Sequence, residues 1–135
     1  MTSPPAPMVV SAAVIERHGR FLVTRRSEGT HLAGRWEFPG GKCEEGESVE
    51  ACLAREILEE LAASVSIGAE IYRTTFVYPD RTIELRFFRC ELAGDPVAMM
   101  GQDIRWVRRE DLHTLEFPPA DRELIDLLLG DGSAS

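Results

Sequence analysis

GKCEEGESVEACLAREILEE, residues 41–60, joins a glycine-containing loop to a strongly acidic helix. Helical spacing begins at about Ser48, after which apolar residues recur at intervals of four. These residues are Val49, Leu53, Ile57 and Leu61. We expect this stripe, widened by Ala54 and Leu58, to be the buried face of an amphipathic helix. The charged side chains are then left on its opposite edge.

Three glutamates, Glu56, Glu59 and Glu60, fall within a narrow arc of this helix. Like charges three or four residues apart repel by about 0.2–0.5 kcal/mol per pair. An acidic helix face is usually a solvated surface, but three carboxylates also suit Mg²⁺, which binds few carboxylates and bridges substrate phosphates. Gly40 and Gly41 let the backbone approach closely and leave a carbonyl as a further oxygen ligand. The stretch therefore predicts a divalent-metal site.

The chain has 135 residues, 44% of them hydrophobic, and a formal net charge of −8. These values predict a single globular domain over residues 1–135, with flexible tails at 1–7 and 130–135. The negative charge argues against nucleic-acid polymers and anionic membranes as partners. No segment is long and apolar enough to span a bilayer. A monomer and a homodimer both remain open.

The cysteines Cys43, Cys52 and Cys90 are odd in number and lack CxxC spacing. They predict neither a disulfide framework nor a zinc site. Unpaired cysteines are typical of a reducing compartment, so we expect a cytoplasmic protein.

Runs rich in β-forming residues surround the acidic helix. We expect strands at residues 8–15, 21–24, 66–77, 82–92 and 104–107, and a short one within 36–42 that is broken at Pro39. A second amphipathic helix begins after Pro118 and Pro119 and includes residues 124–129. This mixture predicts an α+β fold, with a mixed β-sheet sandwiched between helices in an α/β/α arrangement.

Six positions of the opening stretch have a characteristic spacing: Gly41, Glu47, Arg55, Glu56, Glu59 and Glu60. In this it resembles the signature of the Nudix hydrolases. The resemblance implies a Nudix fold and a site for Mg²⁺, with Mn²⁺ as a possible substitute. Its implied ligands are the carboxylates of Glu56, Glu59 and Glu60 and the carbonyl of Gly40. It also implies that Glu56 is a candidate general base, that Arg55 orients the glutamates and that Glu47 braces Arg55.

Three further stretches, residues 24–42, 76–88 and 116–121, are similar to the MutT branch of this family, so the likeness covers roughly residues 8–129. Members of that branch act on 8-oxo-dGTP, and close relatives act on CTP and modified pyrimidine nucleotides. They hydrolyse a nucleoside triphosphate to the monophosphate and diphosphate, through attack of water on the β-phosphorus. The implied nucleotide contacts are Arg26, His31, Glu37, Phe38, Pro39, Gly40, Lys42, Tyr78, Arg81 and Asp121. Phe38 and Tyr78 could equally be core aromatics.

Two departures from the family pattern concern the ends of the site. Ala62 and Ala63 replace a glycine and an aliphatic residue after the last glutamates, and because alanine does not readily adopt positive φ, we expect the helix to gain a turn. Met100 replaces a loop glutamate that assists the metals, which leaves the general base open between Glu56 alone and help from Asp103.

A third departure is Asp121, which replaces an asparagine that reads oxidised guanine. An amide both donates and accepts, whereas an ionised carboxylate only accepts. An ionised Asp121 suits the amino group of cytosine or donors on the other edge of guanine, and a neutral one could copy the asparagine. Its place at a helix start favours the charged form, although it could be only a helix cap.

The sequence leaves three functions in competition. The first is a nucleotide-pool-sanitising 8-oxo-dGTP diphosphatase. The second is a CTP or 5-methyl-dCTP pyrophosphohydrolase, which Asp121 favours. The third is a non-catalytic Nudix-fold module that binds nucleotides, suggested by Met100 and opposed by the intact glutamates.

Overall fold

A computed structural model describes residues 6–25 and 34–133, with the backbone alone for 131–133. Its strands and helices, in chain order, are β1 (Met8–Arg17), β2 (Arg20–Arg25), β3 (Trp36–Glu37), β4 (Gly40–Lys42), α1 (Val49–Leu61), β5 (Ser64–Tyr78), β6 (Arg81–Ala93), β7 (Asp103–Arg108) and α2 (Arg122–Ser133). Two 3₁₀ helices, Arg109–Thr114 and Pro119–Asp121, lie between β7 and α2. None of the described helices has the length and apolar character needed to cross a membrane.

Strand β1 is the centre of a mixed seven-stranded sheet. It pairs in parallel with β6 and antiparallel with β2 and β4. The sheet order is β3-β2-β1-β6-β5, with β4 added to β1 and β7 added to β2. The β1–β2 turn places His18 and Gly19 at φ 54° and 76°, and positive φ at both central residues is the conformation of a tight hairpin turn.

Both faces of the sheet are covered, because successive side chains of β1 point to opposite sides. Ala12 and Val14 belong to a core cluster that includes Leu124 and Leu128 of α2. Ala13 and Ile15 belong to the other cluster, which includes the α1 residues Leu53, Ile57 and Leu61. The predicted α/β/α arrangement is confirmed.

Helix α1 begins after Ser48, whose Oγ accepts a hydrogen bond of 3.1 Å from the backbone N–H of Ala51. Its buried residues are Cys52, Leu53, Ile57 and Leu61. The predicted widening of this face by Ala54 and Leu58 was wrong, since both are exposed, Leu58 to 58%. The core is widened instead by Cys52, on the side that faces β4.

The end of α1 also differs from the prediction of an extra helical turn. The helix ends at Leu61, and Ala62 takes the left-handed conformation at φ 52° and ψ 38°, with its N–H donating to the carbonyl of Leu58. The chain then enters β5 at Ser64. Tertiary pairing of β5 thus prevails over alanine's preference, at a cost of roughly 1–2 kcal/mol.

Three smaller differences concern turns and ends. The expected strand within 36–42 is two short strands that flank Phe38 and Pro39. The 3₁₀ helix after β7 was not anticipated. At the C-terminus, α2 continues to Ser133, so the predicted tail does not start at Gly130; one glycine costs a helix only about 1 kcal/mol. Residues 1–5 of the predicted N-terminal tail lie outside the described part.

Replacing Ala62 by glycine should raise the free energy of unfolding by about 0.5–1 kcal/mol, because glycine adopts the left-handed conformation without the Cβ penalty. Ala62 is exposed, so little packing is lost. Urea unfolding of both proteins measures the difference. As a matched control, Ala54→Gly at an exposed position inside α1 should lower stability by about 1 kcal/mol. Equal losses in both variants would show that Ala62 is not strained.

Candidate metal and nucleotide site

Arg55 is the centre of the predicted site, and three glutamates surround its guanidinium group. Its Nε and Nη2 donate to the two carboxylate oxygens of Glu47 at 2.7 and 2.9 Å. Its Nη1 lies 3.1 Å from Glu56 Oε1 and 3.4 Å from Glu59 Oε2. Nη2 also donates to the Lys42 carbonyl at 3.3 Å. One fork of donors therefore links the loop after β4 to the acidic edge of α1.

Glu47 and Glu56 differ in what shifts the pKa of each carboxyl group. The two hydrogen bonds from Arg55, together with one from the Glu44 backbone, lower the pKa of Glu47 to about 2. The same contact raises the pKa of Arg55. Burial raises the pKa of Glu56, and Arg55 opposes that rise. Glu47 is thus a fixed anion that holds Arg55, whereas Glu56 lacks enough positive charge nearby to offset its burial.

Gly40 and Gly41 allow β4 to approach its neighbours more closely than other residues would. A Cβ on Gly41 would overlap the carboxylate of Glu56, and one on Gly40 would overlap the carbonyl oxygen of Ser11. The N–H of Gly40 donates to Glu60 Oε2 at 3.2 Å. The two glycines therefore bring the backbone against two of the predicted metal ligands.

The donor set fits a hard divalent cation: the Glu56, Glu59 and Glu60 carboxylates beside the Gly40 backbone. A cation would also supply the positive charge that buried Glu56 lacks. Within the described part of the chain, the oxygens of these three glutamates do not all lie within 4.8 Å of one another. Arg55 lies between Glu56 and Glu59, so their joint use requires side-chain rotation or more than one ion.

The segment between β6 and β7 packs on the C-terminal end of α1. The backbone N–H groups of Val97 and Met99 donate to the carbonyls of Leu61 and Glu60 at 2.9 and 3.1 Å. Gln102 Nε2 also donates to the Glu60 carbonyl at 3.0 Å. Sequence reasoning missed this role of the segment, which satisfies carbonyl groups that a helix end leaves unpaired.

Met100 and Asp103, which stand at or near the position of the missing loop glutamate, each have another hydrogen-bond partner. Met100 is 66% exposed, and its N–H donates to Gln102 Oε1. Asp103 forms an ion pair with Arg25 across the β2–β7 pairing. Among the candidates for general base, Glu56 is therefore the one that the structure places against Gly41.

Asp121 is buried, with 6% of its surface exposed. Burial, with repulsion from Glu37, raises its pKa to about 7. The expectation that the helix start favours the charged form was wrong, because desolvation of the buried carboxyl, with repulsion from Glu37, outweighs any stabilisation of the anion by the helix start. Both protonation states are thus populated near neutral pH.

The other predicted nucleotide contacts are dispersed. Phe38 is in the core, stacked on Phe117 at 5.5 Å between ring centroids, and Pro39 is also buried. Lys42 is exposed at the end of β4. Tyr78 and Arg81 face each other at the exposed tip of the β5–β6 hairpin. Arg26 and His31 lie outside the described residues.

The cysteine prediction was wrong, because Cys43 and Cys52 form a disulfide. Their Cα atoms are 5.2 Å apart, and nine positions separate them in the sequence. The pairing depends on α1 folding back onto β4, which no CxxC pattern signals. Cys90 is free and buried, and burial raises the pKa of its thiol to about 11.

Comparison with known proteins identifies the family of this chain. A family model of the NUDIX domain matches residues 10–127. The 8-oxo-dGTP diphosphatase of Haemophilus influenzae is 39% identical over 90% of this chain and 91% of its own length. The CTP pyrophosphohydrolase of Escherichia coli is 32% identical over 89% of this chain and 90% of its own.

Solved structures lead to the same family. The solution structure of the E. coli ORF135 protein superposes with a TM-score of 0.84 at 31% identity, over 94% of this chain and 91% of the other. MutT of Aliivibrio salmonicida or Vibrio cholerae superposes with a TM-score of 0.78 at 27% identity, over 91% of this chain and 96% of the other. These matches, together with the hydrogen bonds of Arg55 and the close approach of Gly40 and Gly41, show that the chain belongs to the Nudix hydrolase family, whose members act on phosphoric anhydrides with a divalent metal ion.

Proposed function

We propose that this protein is a Mg²⁺-dependent nucleoside triphosphate pyrophosphohydrolase that removes 8-oxo-dGTP from the nucleotide pool of the cytoplasm. The observation that carries this proposal is Arg55, held by Glu47 at 2.7 and 2.9 Å and by two glutamates on the edge of α1. The relatives named as 8-oxo-dGTP diphosphatases support the substrate. Water is added and the triphosphate yields a nucleoside monophosphate and diphosphate.

The side chains present have separable tasks in this reaction. Glu47 fixes Arg55, and Arg55 keeps the Glu56 and Glu59 carboxylates turned toward the phosphate side. Glu56, which lies against Gly41, is the candidate base that accepts a proton from the attacking water. Lys42, exposed at the end of β4, is placed to contact phosphate oxygens. When bound, Mg²⁺ supplies the positive charge that neutralises the polyphosphate and polarises its phosphorus–oxygen bonds.

Asp121 is the proposed reader of the base. A protonated Asp121 donates one hydrogen bond and accepts another, as an amide would, so it suits the donor and acceptor edge of 8-oxoguanine. The ionised form only accepts and suits the amino group of cytosine. A cytidine triphosphate is therefore the second candidate substrate, and the relative named as a CTP pyrophosphohydrolase favours it.

The products provide a first test. Purified protein with Mg²⁺ and 8-oxo-dGTP should release diphosphate, and orthophosphate should form only after a pyrophosphatase is added. Ion chromatography separates the two anions. Direct release of orthophosphate would place cleavage at the γ-phosphorus and contradict the proposed reaction.

Glu60→Gln should lower kcat by roughly 10²-fold or more, because loss of one preorganised charge commonly has an effect of that size. The amide keeps the shape of the side chain and removes the charge. Glu50→Gln, an exposed glutamate in the first turn of the same helix, is the matched control and should retain wild-type kcat. If both variants retain it, the metal site is wrongly assigned.

The pH dependence of kcat/KM distinguishes recognition of 8-oxoguanine from recognition of cytosine. If neutral Asp121 reads 8-oxoguanine, kcat/KM for 8-oxo-dGTP should fall up to about tenfold between pH 6 and 8, as the group ionises around its pKa of about 7. In Asp121→Asn this step should disappear while activity persists. A cytosine preference would instead rise with pH and be lost in that variant. Steady-state assays across the range, with 8-oxo-dGTP, dGTP and CTP, decide between them.

Stability provides a check that is independent of the substrate. The folded-state pKa of Asp121 lies above its unfolded value, so the folded state binds more protons between about pH 4 and pH 7. The contribution of Asp121 to the free energy of unfolding therefore falls as pH rises through that window, and it is constant above it. Asp121→Asn should remove that decrease, and the variant should be more stable than wild type at pH 8, as urea unfolding at both ends of the window would show. An unchanged pH slope would mean that Asp121 is ionised throughout.

A further inference from the structure

The Cys43–Cys52 disulfide connects the two parts of the site that must stay in register. Cys43 follows β4, and its N–H donates to the Val9 carbonyl on β1 at 2.9 Å. Cys52 lies in the first half of α1, with its N–H bonded to Ser48 O at 2.9 Å. The disulfide therefore links the end of β4, the strand that contains Gly40 and Gly41, to α1, the helix that contains the glutamates.

The sulfur atoms are also close to the group that holds Arg55. A carboxylate oxygen of Glu47 lies within 4.8 Å of both sulfurs. Glu47 is itself within the segment 44–51 that the disulfide closes. Opening the bond would thus increase the conformational freedom of the loop that contains Glu47. It would also place two S–H groups, which are weak donors, beside the Glu47 carboxylate that accepts hydrogen bonds from Arg55.

The two sulfurs differ in their access to solvent. Cys52 is fully buried, and its Sγ lies 3.3 Å from the buried hydroxyl of Ser11. Cys43 is partly exposed and lines a surface pocket of about 520 Å³ with Glu44, Glu45 and Glu47. A small reductant or oxidant therefore reaches the Cys43 sulfur first, with Cys52 as its internal partner.

We propose that Cys43 and Cys52 are a reversible redox modification site that controls how firmly Glu47 and Arg55 hold the metal-binding edge of α1. Oxidation fixes the loop and favours the metal-binding geometry, and reduction loosens it. The chemistry of the pair is independent of the substrate, whereas its effect on metal affinity rests on the proposed metal site.

Both directions of the exchange balance. In reduction, a thiolate of a small dithiol attacks Cys43 Sγ, the S–S bond breaks, and Cys52 leaves as a thiolate and takes up a proton. The second thiol of the reductant then displaces Cys43 and forms the reductant's own disulfide. In oxidation, hydrogen peroxide transfers an oxygen atom to the Cys43 thiol, which becomes a sulfenic acid as one water leaves. The Cys52 sulfur then attacks the Cys43 sulfur, and the displaced hydroxide takes up the Cys52 thiol proton and leaves as a second water.

Peptide mapping tests whether the pair cycles. Trypsin cleaves after Lys42 and Arg55, so residues 43–55 form one peptide that contains both cysteines. After peroxide treatment this peptide should be lighter by two hydrogen atoms and resist alkylation. After dithiothreitol it should take two alkyl groups. A peptide that is alkylated equally under both conditions would overturn the proposal.

Metal titration tests the consequence. Calorimetry with Mn²⁺ should show affinity roughly 3–10-fold weaker for the reduced protein, a moderate effect for partners that orient metal ligands. The midpoint of thermal unfolding should fall by about 5–10 °C on reduction, as expected for opening a short closed loop. Equal Mn²⁺ affinities in the two states would overturn the proposed control even if the disulfide forms.

Two variants separate this pair from general thiol effects. Cys43→Ser should match the reduced wild type and be unaffected by either reagent. Cys90→Ala is the matched control: Cys90 is buried, free and of raised pKa, so this variant should keep the full redox response in the peptide map and in Mn²⁺ affinity. Failure to hydrolyse any triphosphate would contradict the proposed function, whereas these two readouts would still decide the redox proposal. A redox response that persists in Cys43→Ser would refute the assignment.

Discussion

The ion pair between Arg55 and Glu47 is the constraint on which the site depends. A bidentate pair of this kind fixes the plane of the guanidinium group as well as its position. The remaining donors of Arg55 then reach Glu56 and Glu59, which would otherwise repel each other along one helix edge. The arginine therefore offsets part of the repulsion within this concentrated negative surface. It also links that surface to β4 through the Lys42 carbonyl.

The sheet makes this arrangement rigid. Because β1 pairs with β4 on one side and with β6 on the other, Gly40 and Gly41 of β4 are attached to the central strand of the sheet. Helix α1 packs on the same strand through Leu53, Ile57 and Leu61. The acidic edge of α1 and the glycines of β4 are thus fixed to a common strand, and the segment before β7 donates hydrogen bonds to the C-terminal end of α1.

The residue proposed to read the base lies on the other side of the sheet. Asp121 lies where α2 begins, beside Glu37, and burial raises its pKa to about 7. Under the proposed function, its two protonation states would present different hydrogen-bond patterns to the base. The proposed phosphate chemistry and base reading then depend on different elements, α1 with β4 for the first and α2 with β3 for the second. Changes in one need not disturb the other.

The sequence by itself determined the α/β/α class and the start of α1, because these follow from local spacing, whereas the grouping of Arg55 with Glu47, Glu56 and Glu59 came from the resemblance to the Nudix signature. It could not determine the end of α1, where strand pairing holds Ala62 in a left-handed conformation, or the exposure of Leu58. The Cys43–Cys52 link and the raised pKa of Asp121 were also decided by tertiary structure alone. Both depend on which atoms are brought together and removed from water, and neither quantity is encoded in the separation of residues along the chain.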